Sequence, residues 1–120
     1  KGIMPNLNTI SWANKINKKI KINHNPLEVS EGADCVITDT WQSMGDQESI
    51  SEKTFLPFQV NKNIMRQAKD NAIFMHCLPA YRDKEVSLEV LEGKQSVVFD
   101  EAENRLHAQK AIMHFCLNLN

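Results

Sequence analysis

Apolar positions along the chain recur in two rhythms, one helical and one extended. Over residues 6–17, NLNTISWANKIN, the side chains of Leu7, Ile10, Trp12, Ala13 and Ile16 fall roughly along one side of a helix, with Asn6 placed to cap it. KIKINH, 19–24, alternates polar and apolar residues, as a half-buried or edge strand does. Pro26 is suited to open a short helical turn over 26–32, with Gly32 ending it. DCVITDT, 34–40, reads as a β-branched core strand finishing on Asp39, before a loop that contains Gly45. Residues 61–69 predict a helix capped by Asn61, with Ile64, Met65 and Ala68 inward. AIFMHC, 72–77, is the next strand. DKEVSLEVLEG predicts a helix from 83 to 92, stopped by Gly93 where left-handed backbone is needed. SVVFDE, 96–101, reads as the last strand.

Strands alternating with helices in this order predict an α/β fold, a parallel sheet with helices on both faces. The terminal helix, 102–118, differs from the others. Glu103, His107, Lys110, His114 and Asn118 share one stripe, while Leu106, Ala108, Ile112, Met113, Phe115, Cys116 and Leu117 occupy most of the rest. An apolar arc wider than half the circumference needs packing on more than one side. The chain is therefore divided into residues 1–101, a partial domain, and 102–120, a terminal helix expected to rest on a further domain or subunit. The opening Lys1-Gly2, without an initiator Met, adds to the expectation of a piece of a longer protein.

Composition removes several function classes. A net charge of −1 gives little attraction for a phosphate backbone or an anionic bilayer, so neither nucleic acid nor membrane is an expected partner. No apolar run approaches the ~18 residues that a spanning helix requires. Lys15, Lys18, Lys19 and Lys21 form a basic cluster that reads as solvated helix end and strand edge. Cys35, Cys77 and Cys116 are scattered, with no CxxC or Cys/His quartet, so no disulfide framework, no structural zinc and no cofactor are expected. Cys35 and Cys116 read as small core residues, Trp12 as helix packing, and His24, His107 and His114 as surface residues.

Ligands of open parallel sheets collect beyond the carboxyl ends of the strands. Three predicted strands end there in polar residues: Asp39 with the WQSMG loop, His76-Cys77, and Asp100-Glu101 leading to Asn104 and Arg105. Side chains alternate along a strand, so His76 and Cys77 point apart and make a poor bidentate metal site. A Cys-His nucleophilic dyad and a buried Cys beside a capped His both remain open. Pro79 stops the ladder and leaves the Leu78 carbonyl free to face the crevice. Asp39 can fix a cation, Ser43 offers a hydroxyl, and loop amides near Met44 can hold a carboxylate, which suits the two charges of an α-amino acid. Arg105 either pairs with Glu101 or Glu103 at the surface, or grips a phosphate or carbamoyl oxygen with its planar fork. Trp41 either walls the crevice or belongs to the core.

TDTWQSMG (38–45), FMHCLPAYR (74–82) and VVFDEAENRLHAQKAIM (97–113) occur in order with suitable gaps, preceded by NPLEVSEGADCVITD (25–39). Over essentially the whole chain these segments resemble the carboxyl-terminal, ornithine-binding part of the ornithine carbamoyltransferases. The resemblance implies a Rossmann-like ornithine-binding domain, part of a two-domain subunit in a trimer or a multiple of trimers. It implies transfer of a carbamoyl group from carbamoyl phosphate to the δ-amino group of L-ornithine, in the cytoplasm or, in a eukaryote, the mitochondrial matrix. By motif position it implies that Asp39, Ser43 and Met44 bind ornithine, and that Cys77, Leu78 and Arg105 meet carbamoyl phosphate. Asp39, Cys77, His76 and Arg105 would form the catalytic set, with His76 and Arg105 stabilising charge on the carbonyl oxygen. The family's STRT-type and HPxQ-type segments are absent from these residues, so the chain alone is expected to be inactive. Three other readings stay in view: a putrescine or N-acetylornithine carbamoyltransferase, a non-catalytic α/β binding or assembly domain, and a thiol hydrolase built on Cys77. An aspartate transcarbamoylase fits less well, because the Cys77 position departs from that family's pattern.

Overall fold

A computed structural model describes residues 4–42 and 51–117. The helix α1 spans Leu7–Ile16, and the Asn6 side chain accepts the Asn8 N–H at 2.8 Å, as its capping position requires. α2, Pro26–Ser30, begins on proline and runs out at Gly32, whose φ of 66° is the left-handed turn expected there. β1 covers Cys35–Thr38, α3 covers Glu52–Phe55 and leads into a 3₁₀ turn at Leu56–Phe58, and α4 is Lys62–Met65. β2 covers Ile73–His76, α5 covers Leu88–Leu91, and α6 covers Val98–Cys116.

β1 and β2 are parallel, in the register Cys35↔Ile73 through Thr38↔His76. A single parallel bridge, Phe74↔Ser96, continues the sheet on the far side of β2. Residues that share a register row face the same way, so Val36, Phe74, Thr38 and His76 point to one side. On that side Phe74 meets Val60, Ile64, Met65, Val86, Val90, Leu91 and Val98, the core of the molecule. On the other side Ile37 and Ile73 remain exposed.

Four elements depart from the sequence-based expectation, one being the helix expected over 61–69, which is shortened to α4. KIKINH forms no strand; Lys19 donates its N–H to the Asn17 side chain in a turn, and the segment stays exposed. The helix expected from residue 83 is shortened to α5. Lys84–Ser87 is drawn alongside Val60, with Val60 N–H on the Glu85 carbonyl and Ser87 N–H on the Val60 carbonyl, both at 2.9 Å. A backbone committed to that bridge cannot also close helical turns. Gly93 is not left-handed; it is required because a Cβ there would lie 2.6 Å from the Glu89 carbonyl oxygen. The expected strand 96–101 is reduced to the Ser96 bridge, and α6 starts at Val98, ahead of the expected boundary at 101/102. Asp100 and Glu101 then occupy its first turn, where exposed N–H groups and the helix dipole favour carboxylates. The sequence pattern also passed over α3 and its 3₁₀ extension.

Two packing expectations fail as well. Trp12 is 63% exposed and no residue of α1 is buried. Cys116 is exposed, whereas Cys35 is half-buried.

Candidate active site

The parallel register fixes the site. Thr38 faces His76, so the next residues, Asp39 and Cys77, leave the sheet side by side. The Cys77 thiol donates to Asp39 Oδ1 at 3.3 Å, and the Thr40 N–H reaches the same oxygen at 2.7 Å. Both donors hold the carboxyl below its ordinary value, the Thr40 N–H chiefly and the thiol next, so Asp39 is a carboxylate near neutral pH. Cys77 responds in the opposite sense. Its hydrogen bond to Asp39, then burial and the carboxylate charge, raise the thiol above its usual range. Near neutral pH Cys77 is therefore a hydrogen-bond donor and not a thiolate, which weighs against a nucleophilic role.

This arrangement gives a measurable expectation. Only the thiolate is alkylated, so iodoacetamide should modify Cys77 more slowly than an unperturbed thiol near neutral pH and accelerate as pH rises. Asp39→Ala should speed the reaction, because the anion opposing deprotonation is gone. Mass spectrometry of the peptide containing Cys77 reads it in the full-length protein; an unchanged rate in Asp39→Ala contradicts the assignment.

His76 does not face the crevice. Its ring is fully buried on the core side, with Nε2 3.2 Å from Glu85 Oε1 and Nδ1 accepting the Leu78 N–H at 2.9 Å. The partners specify the tautomer: Nδ1 accepts and carries no proton, so Nε2 holds it and donates to Glu85. The direct role expected of His76 at a carbonyl oxygen is corrected here, since strand alternation turns the imidazole away from the Cys77 side. The His76 backbone N–H is held by Glu101 Oε2 at 3.0 Å, which ties the end of β2 to the first turn of α6.

Leu78 follows with φ 53°, a left-handed conformation that a residue with a Cβ adopts only at a cost of order 1 kcal/mol. The Leu78–Pro79 peptide is cis. Arg105 is exposed and has no ion pair with the described residues; Glu103 instead lies 3.9 Å from His107. One helical turn beyond Glu101, Arg105 shares the α6 side that meets β2. Ser43 and Met44, with Gly45, lie outside the described residues. Trp41 stacks on Phe55 with ring centroids 5.6 Å apart, immediately after the Asp39 turn. Asp39 and Cys77 are thus brought into contact, Arg105 is placed along the adjoining helix, and His76 is withdrawn into the core.

The sequence reading missed Glu85. It stood in a segment read as an amphipathic helix, and nothing in DKEVSLE signals that this carboxylate is buried. The sequence pattern sets Glu101 at the crevice edge and carries no sign of its hold on β2.

An α/β domain with a carboxylate and a thiol joined at adjacent parallel strand ends is the class these features define. The family model described as the Asp/Orn binding domain of aspartate/ornithine carbamoyltransferase matches residues 1–116. The chain belongs to that family. A Brucella abortus (strain 2308) protein named ornithine carbamoyltransferase is 52% identical over 118 residues, covering 98% of this chain and 38% of that protein. The solved ornithine carbamoyltransferase of Pyrococcus furiosus superimposes with a TM-score of 0.84 at 43% identity, covering 94% of this chain and 38% of that one. The anabolic ornithine carbamoyltransferase of Campylobacter jejuni gives 0.88 at 37% identity, covering 100% of this chain and 42% of that one. The chain thus spans less than half the length of these relatives. None of the described helices is long and apolar enough to cross a membrane.

Proposed function

We propose that this chain is the ornithine-binding part of an enzyme that transfers the carbamoyl group of carbamoyl phosphate to the δ-amino group of L-ornithine, giving L-citrulline and phosphate. The observation that carries the reading is the Cys77–Asp39 contact at 3.3 Å across adjacent strand ends. An ionised carboxylate held by two donors on one oxygen offers a fixed anion to the side-chain amino end of ornithine. Ser43 and the Met44 backbone, which follow Asp39 in the sequence, take the α-amino and α-carboxylate groups.

The δ-ammonium gives up one proton to solvent before attack, because its lone pair must form the new bond to the carbamoyl carbon. Asp39 and Cys77 position the amine for that approach. As the C–N bond forms, the bond from carbon to the phosphate oxygen breaks, and phosphate leaves with the electron pair and takes up the second amine proton, so no covalent enzyme intermediate is required. Arg105 and the backbone at Leu78 stabilise the carbamoyl phosphate oxygens. The remaining carbamoyl phosphate contacts belong to a second domain, and the apolar surface of α6 supports such a domain. A homotrimer or a multiple of trimers, acting in the cytoplasm in arginine metabolism, completes the proposal.

The test is citrulline formation by the purified full-length protein, with putrescine and N-acetylornithine as competing acceptors. Ornithine should be strongly preferred, since a diamine lacks the α-carboxylate for the loop and an acetylated amine removes the α-cation. No product from ornithine, or preference for either analogue, overturns the reading.

A further inference from the structure

The mechanism above leaves one buried carboxylate unused. Glu85 and His76 are both removed from solvent, and they meet at 3.2 Å. Glu85 Oε1 also accepts the Tyr81 N–H at 2.6 Å, while His76 Nδ1 accepts the Leu78 N–H at 2.9 Å. The two amides at either end of the Leu78–Tyr81 turn therefore hang from one side-chain pair. Between them lies the left-handed Leu78, φ 53°. Strained backbone of this kind persists only where its surroundings over-determine it.

Stability does not account for the pair. Glu85 Oε2 is buried and has no partner among the described residues. A buried carboxylate with half its acceptor capacity idle costs stability that a well-packed apolar residue of similar volume would not. The geometry points to Glu85 as a positioning residue that acts through His76: it fixes the Nε2–H tautomer, leaves the Nδ1 lone pair for Leu78, and so sets the turn whose backbone faces the reacting carbamoyl group. Its kinetic consequence rests on the proposed carbamoyl transfer; its structural consequence does not. Cys77 and Asp39, on the opposite side of the sheet, are left in place by this device.

Two readouts in the full-length protein decide the matter. Amide hydrogen exchange of the 77–82 segment, without substrates, reports the clamp directly. Glu85→Ala should accelerate exchange there, whereas Glu85→Gln, whose single carbonyl oxygen can accept both bonds, should retain most of the protection. His76→Asn offers a side-chain oxygen two residues before Leu78 N and should protect better than His76→Leu, which offers none. In steady state Glu85→Ala should lose about 100-fold in kcat, the scale of an ångström-level misplacement, with KM for ornithine within about threefold of wild type. Glu85→Gln should recover most of that loss. Unchanged exchange in Glu85→Ala, or equal loss of protection in the two His76 variants, overturns the clamp. A loss that falls on KM for ornithine with kcat intact overturns its catalytic consequence. If Glu85→Ala does not fold, the His76 pair still decides. Wild-type protein that forms no citrulline defeats the proposed function, while the exchange pattern continues to judge the clamp.

Discussion

On the proposed function, Asp39→Asn in the full-length protein is expected to lower kcat/KM for ornithine by about 10²–10³-fold, because truncating one member of a charge pair that the second domain closes off from water costs about 3–4 kcal/mol. The substitution is nearly isosteric, so what it removes is the charge. In the free site the Thr40 N–H and the Cys77 thiol both point at Oδ1, and each can still be accepted by an amide oxygen there. The local turn should consequently survive and the thermal midpoint should stay close to wild type. What fails is the charge match between this position and a cationic amine. The loss should fall on ornithine and leave the KM for carbamoyl phosphate within a few-fold. Equal losses for both substrates would mean that Asp39 holds the fold of the cleft and does not bind the amine. Retention of full activity would remove Asp39 from the site altogether.

Periodicity disclosed the elements whose local pattern no distant backbone partner overrides. α1, β1 and β2 satisfy that condition in pattern, and each lies within a residue or two of its expected bounds. The parallel order and the placing of Asp39 and Cys77 at one crevice followed from strand ends meeting at one edge; the contact between the two side chains did not. Elements set by backbone partners distant in sequence were not legible. Lys84–Ser87 has a helical pattern, yet its Glu85 carbonyl and Ser87 N–H are taken by Val60. SVVFDE has strand composition, yet a helix whose first turn favours the carboxylates of Asp100 and Glu101 takes it after one bridge. Burial of a charged residue is likewise a tertiary fact. Glu85 and His76 become recognisable as partners only when the turn between them is built, because their separation of nine residues has no helical or strand rhythm.

Expressed alone, these 120 residues should show turnover below detection and should self-associate. The reason lies on α6. Phe99 and Phe115 are 77% and 81% exposed, Leu106, Ile112 and Met113 are exposed along the same helix, and so is Leu117 at its C-cap. Only Val98 of α6 is buried. Covering a large apolar side chain contributes about 1.5–3 kcal/mol, so even half of this set rivals the ~5–15 kcal/mol by which a whole domain is stable. A helix carrying that surface needs a partner, and on the proposed reading the partner is the carbamoyl phosphate domain. The same docking would orient Arg105, which otherwise stands in solvent with no described anion to hold it. Catalysis and stability are therefore tied to one surface, and both should return together when the full-length chain is assayed. Sedimentation, binding of a hydrophobic dye and a citrulline assay on the isolated polypeptide make the comparison. A monomer that excludes dye and turns over at the full-length rate would show that α6 needs no cover and that the cleft between Asp39 and Cys77 is sufficient by itself.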